Sequence, residues 1–180
     1  KYTVIFDWTK GIYSRPNLDK SIKENHEAYI AQTRDFQKKR FRTSIFSTKD
    51  RFNVDQNIKA IAEIIQLSKT NSFKLYLFTT PFNQHKLDQL NTEMYLYYLS
   101  KLAELSDFWD FNGYNTITTN DKNYYESSHY RPTINPLIAA RIFSDGLDNE
   151  TNLFGVYVTE KNIDGHLTQI KRQFDDRAYP

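Results

Sequence analysis

Apolar residues recur at helical spacing most clearly over residues 53–71, where Val54, Ile58, Ile61 and Ile65 share one face and Ala62, Ile64 and Leu67 widen it. Asn53 is the expected cap, and Asp55 suits the positive end of the helix dipole. The next apolar run, Phe73-Lys74-Leu75-Tyr76-Leu77-Phe78-Thr79, reads as a core strand that stops at Thr80-Pro81. Helical spacing returns from residue 85 to about 105 through Leu87, Leu90, Met94, Leu99 and Leu102, and a short strand follows at 108–111. Helix, strand, helix, strand with short links is the pattern of parallel β-α-β units. It predicts an α/β fold of three layers, a mainly parallel sheet flanked by helices. In such sheets ligands bind beyond the carboxyl ends of the strands, here Thr80, Pro81 and Asn83 after one strand and residues 112–129 after the next.

The flanks are less periodic. Residues 2–8 are β-branched and aromatic enough for a strand, and Gly11, Pro16 and Asn17 mark a turn. Residues 18–41 are polar with a thin stripe of Ile22, Tyr29, Ile30 and Phe36, which predicts a surface helix or an arm laid across the domain. Near the other end, Asn135-Pro136 opens a helix carrying Leu137, Ile138 and Ile142, with Gly146 just past its end. An apolar block at 153–158 precedes a last helix over about 159–174, capped by Thr159 with Asn162 at its third position. No repeat, low-complexity tract or domain boundary interrupts the chain. Residues 1–180 read as a single α/β domain, with 1–50 an arm or the remnant of a longer protein.

Length and charge narrow the classes. At 180 residues a sizeable core is affordable in one domain, and 24 basic against 22 acidic residues give no reason to invoke nucleic acid. A local basic cluster, Arg34, Lys38, Lys39, Arg40 and Arg42, reads as a solvated helix face. Without cysteine, disulfides and thiolate metal sites are excluded. No run of 18 apolar residues exists to span a membrane. The start at Lys1-Tyr2-Thr3, with no methionine or signal-like segment, is what a piece of a longer protein would show.

The candidate chemistry lies in Trp109-Asp110-Phe111-Asn112-Gly113-Tyr114-Asn115 and in Asn123-Tyr124-Tyr125-Glu126-Ser127-Ser128-His129-Tyr130-Arg131-Pro132. A carboxylate three residues before a histidine can orient the ring and stabilise its protonated form, as in a nucleophile–base–acid triad. Glu126 and His129 have that spacing. Of the other histidines, His26 and His166 fall on polar helical stretches and read as surface residues, and His85 as a solvated residue at a helix start. No pair has the spacing of a zinc motif, so no metal is expected, and no cofactor.

The block Tyr125-Glu126-Ser127-Ser128-His129-Tyr130-Arg131-Pro132 resembles the last conserved block of the SGNH (GDSL-like) hydrolase superfamily, where an Asp-x-x-His pair supplies the acid and base of a Ser-His-Asp triad. With Trp109-Asp110-Phe111, Asn123-Tyr124-Tyr125 and Phe154-Gly155-Val156-Tyr157-Val158-Thr159, the similarity covers about residues 53–167. It looks closest to bacterial, membrane-tethered members of the cell envelope. The resemblance implies an SGNH/flavodoxin-like fold and an esterase or acyltransferase acting on acyl groups of cell-envelope polysaccharide. His129 would be the general base, and Glu126 would hold its ring in place of the family's aspartate. Tyr125, Tyr130, Asn83 and Asn112 would contact an acylated glycan or small ester, with Tyr124 and Trp109 also beside a sugar cleft. An extracytoplasmic location, tethered through a preceding segment, and envelope-biosynthesis proteins as partners are implied as well.

One departure stands out: the family's Gly-Asp-Ser-like nucleophile block is not found. Ser14, Ser44 and Ser47 lack its context, and Ser127 and Ser128 suit local turn hydrogen bonds. Gly113 and Asn83 fall near the crevice where an oxyanion hole would form. Two readings stay open. The chain is the later part of such an enzyme, or it is a binding or assembly module of an envelope polysaccharide system that has lost the nucleophile.

Overall fold

The computed structural model describes residues 4–9, 12–37, 45–143 and 154–178. Of the sequence features above, Lys38, Lys39, Arg40, Arg42, Ser44, Gly11, Gly146 and Leu153 lie outside the described residues. The fold is mixed α/β.

The chain opens with a hairpin in which β1 (Ile5–Asp7) pairs antiparallel with β2 (Ile12–Ser14), setting Phe6 opposite Tyr13. The described part of the stretch over 18–41, expected as a surface helix or an arm, falls in three short helices: α1 (Pro16–Glu24), α2 (His26–Gln32) and α3 (Arg34–Gln37). Asn25 breaks the first from the second. Its backbone is extended (φ −153°), and its side chain accepts from Ala28 N at 3.0 Å, satisfying a free donor of the next helix.

Helix α4 (Thr48–Thr70) starts five residues before the expected Asn53. Ser47 and Asp50 form a reciprocal capping box, Asp50 N donating to Ser47 Oγ and Ser47 N to Asp50 Oδ2, both at 3.1 Å. Its inner face carries Val54, Ile58, Ile61 and Ile65, while Ile64 and Leu67 are exposed rather than buried against a sheet. The expected core strand at 73–79 shrinks to β3 (Phe78–Thr79). Phe73 and Tyr76 lie before the strand and are exposed, as is Phe78 within it, and among the described residues β3 is an edge strand paired with β4 alone. The helix expected over 85–105 divides into α5 (Gln84–Leu87) and α6 (Thr92–Leu105), for Asn91 caps the second by accepting from Met94 N at 2.8 Å.

Strand β4 (Phe108–Asp110) runs parallel to β3, with Phe78 beside Trp109 and Thr79 beside Asp110. A second hairpin joins β5 (Tyr124–Glu126) to β6 (His129–Tyr130). After a 3-10 turn at Pro132–Ile134 comes α7 (Asn135–Phe143), in which Asn135 is already the first helical residue. The block after it supplies β7 (Val156–Val158), antiparallel to β4, and α8 (Ile163–Ala178) closes the chain. Thr159 and Asn162 form the turn before α8, Thr159 N donating to Asn162 Oδ1 at 2.7 Å. The sheet β3-β4-β7 is therefore small and mixed, with one parallel and one antiparallel pair.

Side chains of β4 alternate between two apolar clusters, as period two requires. Phe108 joins Leu99, Leu102, Val158, Ile170 and Phe174 under α6 and α8. Trp109, with Phe111 just beyond the strand, joins Ile134, Ile138 and Phe154 beside α7. Asp110 falls on the Phe108 side of the strand and is fully buried. Gly155 stands against this second cluster at φ +85°, where an added Cβ would lie 2.4 Å from Phe111 Cε1, so only glycine fits. Among the described residues no helix is long and apolar enough to cross a membrane.

Candidate functional site

The β5–β6 hairpin brings Glu126 opposite His129, with Ser127 and Ser128 at its tip. Glu126 Oε1 contacts His129 Nδ1, and Glu126 Oε2 accepts from Ser128 N at 3.1 Å, so the carboxylate is held by the turn it orients. The His129 side chain is 65% exposed and that of Glu126 25%. With Nδ1 engaged, Nε2 is left for an external partner; among the described residues it has none. His129 lines a cleft of about 310 Å³ with Tyr13, Arg15, Thr80, Tyr125 and Tyr130.

The three amino-terminal helices hold this hairpin from behind, which gives the expected arm a definite task. Tyr29 of α2 donates to Tyr125 O, and Ser127 Oγ donates to Asp35 of α3, which also accepts Ser127 N at 3.0 Å. Tyr125 OH donates to Asp19 of α1 at 2.8 Å, and Asp19 pairs with Arg131 at 2.6 Å. Burial, reinforced by the bond to Asp19, pushes the Tyr125 phenol up to about 12. Tyr125 therefore stays a neutral donor at physiological pH.

The other residues expected around His129 are placed differently. Asn83 is fully buried: Nδ2 donates to Asp121 at 2.8 Å, and Oδ1 caps α5 by accepting from His85 N at 2.9 Å. Asn112 is buried too, accepting from Phe82 N at 2.8 Å and donating to Tyr95 OH at 3.0 Å, and it lines two clefts other than that of His129. Tyr124 is fully buried and Trp109 stacks on Phe111, and neither lines the cleft of His129. Gly113 lies in the loop facing α8, where Tyr114 N donates to Gln173. Ser127 is locked by Asp35 and Ser47 by its cap.

A second acid–histidine pair escaped the sequence. His166, expected at the surface, is only 6% exposed, and its Nε2 lies 2.8 Å from Asp110 Oδ2. The other oxygen of Asp110 accepts from Thr79 Oγ1 at 2.6 Å, Tyr95 OH at 2.8 Å and Asn112 N at 3.0 Å. Burial alone would raise the Asp110 carboxyl, but the His166 hydrogen bond and charge, with Thr79 and Asn112, hold it below the usual carboxylate range. Burial and that same carboxylate drive Tyr95 well above an ordinary phenol. The one signal in the sequence was an aspartate inside the apolar run Phe108-Trp109-Asp110-Phe111; its partner lies 56 residues on.

His85 departs from expectation as well. It is half-buried, with Nε2 3.4 Å from Asp121 Oδ2, and the hydrogen bond to Asp121 raises its pKa against a smaller opposing effect of burial. His26 is half-buried, with an Nε2 that has no partner. Among the described residues no three His, Asp or Glu side chains gather as a metal site. No protein-family model, curated protein or solved structure matches the chain.

Proposed function

We propose that the chain is an SGNH-like acyl hydrolase or acyltransferase, or the acid–base part of one, acting on acyl groups of cell-envelope polysaccharide outside the cytoplasm. The observation that carries this reading is the Glu126–His129 pair: an exposed histidine that lines an open cleft and whose Nδ1 is taken by a turn-fixed carboxylate. In this reading His129 Nε2 takes the proton of an attacking hydroxyl, and Glu126 stabilises the imidazolium that forms. The ring then returns the proton to the leaving alcohol. Tyr125 and Tyr130 flank the entering ester. The parallel β3–β4 pair, with apolar clusters on both faces of β4, supports the larger three-layer, mainly parallel fold that this family would have.

One observation favours a second reading. Among the described residues no serine hydroxyl is hydrogen-bonded to His129, and Ser127 is held by Asp35. Without a nucleophile the same cleft would serve a binding or assembly module for envelope glycans.

Hydrolysis of p-nitrophenyl acetate by this chain, and by the longest form its gene encodes, separates the two. Turnover that disappears in His129→Ala, with labelling by a fluorophosphonate, supports the acyl-transfer enzyme. A folded protein inert in both forms, yet retained on acylated polysaccharide, would replace it by the binding module.

A further inference from the structure

A cavity of about 460 Å³ opens between α8, β7 and the loop at 112–115, and it shares no lining residue with the His129 cleft. Its wall includes Arg141, which is 5% exposed. Arg141 Nη2 donates to Gly155 O at 2.8 Å and its guanidinium carbon lies 5.2 Å from the Trp109 ring centroid. Its Nε has no partner. Among the described residues no carboxylate pairs with it, and none lines the cavity. A guanidinium buried without a counter-charge is costly, and removal of that cost is available to whatever anion enters.

His166 borders the same cavity. Its Nε2 is taken by Asp110, and Nδ1 is a second buried nitrogen without a partner. Asp110 is already engaged by His166 Nε2, and the guanidinium of Arg141 brings one positive charge to the cavity wall that no carboxylate among the described residues meets. That matches a monoanion. A carboxylate can take two N–H groups of one guanidinium together. The volume lies within the range of small-molecule sites and far exceeds a bare ion, while Tyr114, Tyr157 and Ile170 offer apolar wall for an organic body. We propose that this cavity binds the carboxylate group of a small organic acid, with Arg141 as its counter-cation.

The test is a titration of the intact ¹⁵N-labelled protein, following the Arg141 Nε–H resonance. Benzoate and glucuronate serve as probes, beside benzyl alcohol, glucose and inorganic phosphate. The expected result is a saturable shift with at least one of the two acids, absent with its neutral counterpart and weaker with phosphate. Arg141→Gln should weaken binding by about tenfold or more, the loss expected of a charge-assisted hydrogen bond. Gln169→Trp, at an exposed position on the cavity wall, leaves Arg141 in place and should block entry if Arg141→Gln fails to fold. His129→Ala should leave the titration unchanged, which separates this site from the acyl-transfer reading. An Arg141 resonance unmoved by both acids, or moved equally by the neutral compounds or more tightly by phosphate, overturns the proposal.

Discussion

Of the three acid–histidine pairs among the described residues, two stand in opposite surroundings. Asp110 and His166 meet in the interior, where Thr79, Tyr95 and Asn112 crowd the same carboxylate. Glu126 and His129 meet at a hairpin tip, with the ring mostly in solvent. The contrast separates two uses of one chemical pairing. In the interior both oxygens of the Asp110 carboxylate are met by donors, because a buried charge left unmatched would cost more than the bonds return. At the surface the pair adds little to folding and leaves one ring nitrogen for something external.

Removing the buried acid should therefore have the largest effect. Asp110→Ala leaves Thr79, Tyr95 and His166 without their shared acceptor, and about 3–5 kcal/mol of stability should be lost, as when one partner of a buried pair is deleted. Urea unfolding of the variant measures this. A loss under about 1 kcal/mol, the range of surface pairs, would erase the distinction between the two regions.

Gly155→Ala tests the rigidity of the same interior with a smaller expected effect. The new Cβ would press on the Phe111 ring in a backbone conformation that disfavours a side chain. Roughly 1–3 kcal/mol should be lost, by strain at positive φ and overpacking. Thermal unfolding of this variant beside a Gly165→Ala control, which meets nothing within 4 Å, isolates the contribution of the contact.

The two regions also differ in how far the sequence disclosed them. Glu126 and His129 are three apart on one local turn, so spacing alone brought them together. Asp110 and His166 meet only after β4 and α8 pack, and no local pattern encodes that. Helix existence was legible in apolar periodicity, but boundaries followed caps that periodicity does not see: Ser47 with Asp50 began α4 early, and Asn25 and Asn91 each divided a stretch read as one. The parallel β3–β4 pair was legible. The antiparallel docking of β7 was not, since strand direction in a sheet is set by long-range packing. Asn83, chosen for its place after a strand, proved to be a cap and a partner of Asp121.

Between the extremes lies the half-buried His85–Asp121 pair, and pH should move it. The Asp121 hydrogen bond raises His85, so that contribution is fully present below the unfolded value of about 6.5 and is lost as pH rises through the folded one. For Asp121, burial works upward, but His85 and Asn83 hold the carboxyl low. Its contribution is present above about 3.9 and lost as pH falls through the folded value. The stability difference between the native chain and His85→Ala should be greatest between about pH 4 and 6.5 and shrink on either side. A difference that does not change between pH 5 and 9 would show that the pair is not coupled to folding.

The smallest effect on stability should come from Glu126→Gln, under about 1 kcal/mol, because the pair is exposed and its Coulomb attraction is screened by water. The amide keeps the shape and can still accept from Ser128 N, but it carries no charge to balance an imidazolium. If His129 is a base, the substitution should lower kcat far more than it raises KM, because the imidazolium formed in the reaction has lost its counter-charge. A purely structural pair would leave kcat where it was. The same substitution thus decides whether exposure of His129 serves catalysis, and it does so without disturbing the fold that Asp110 holds in place.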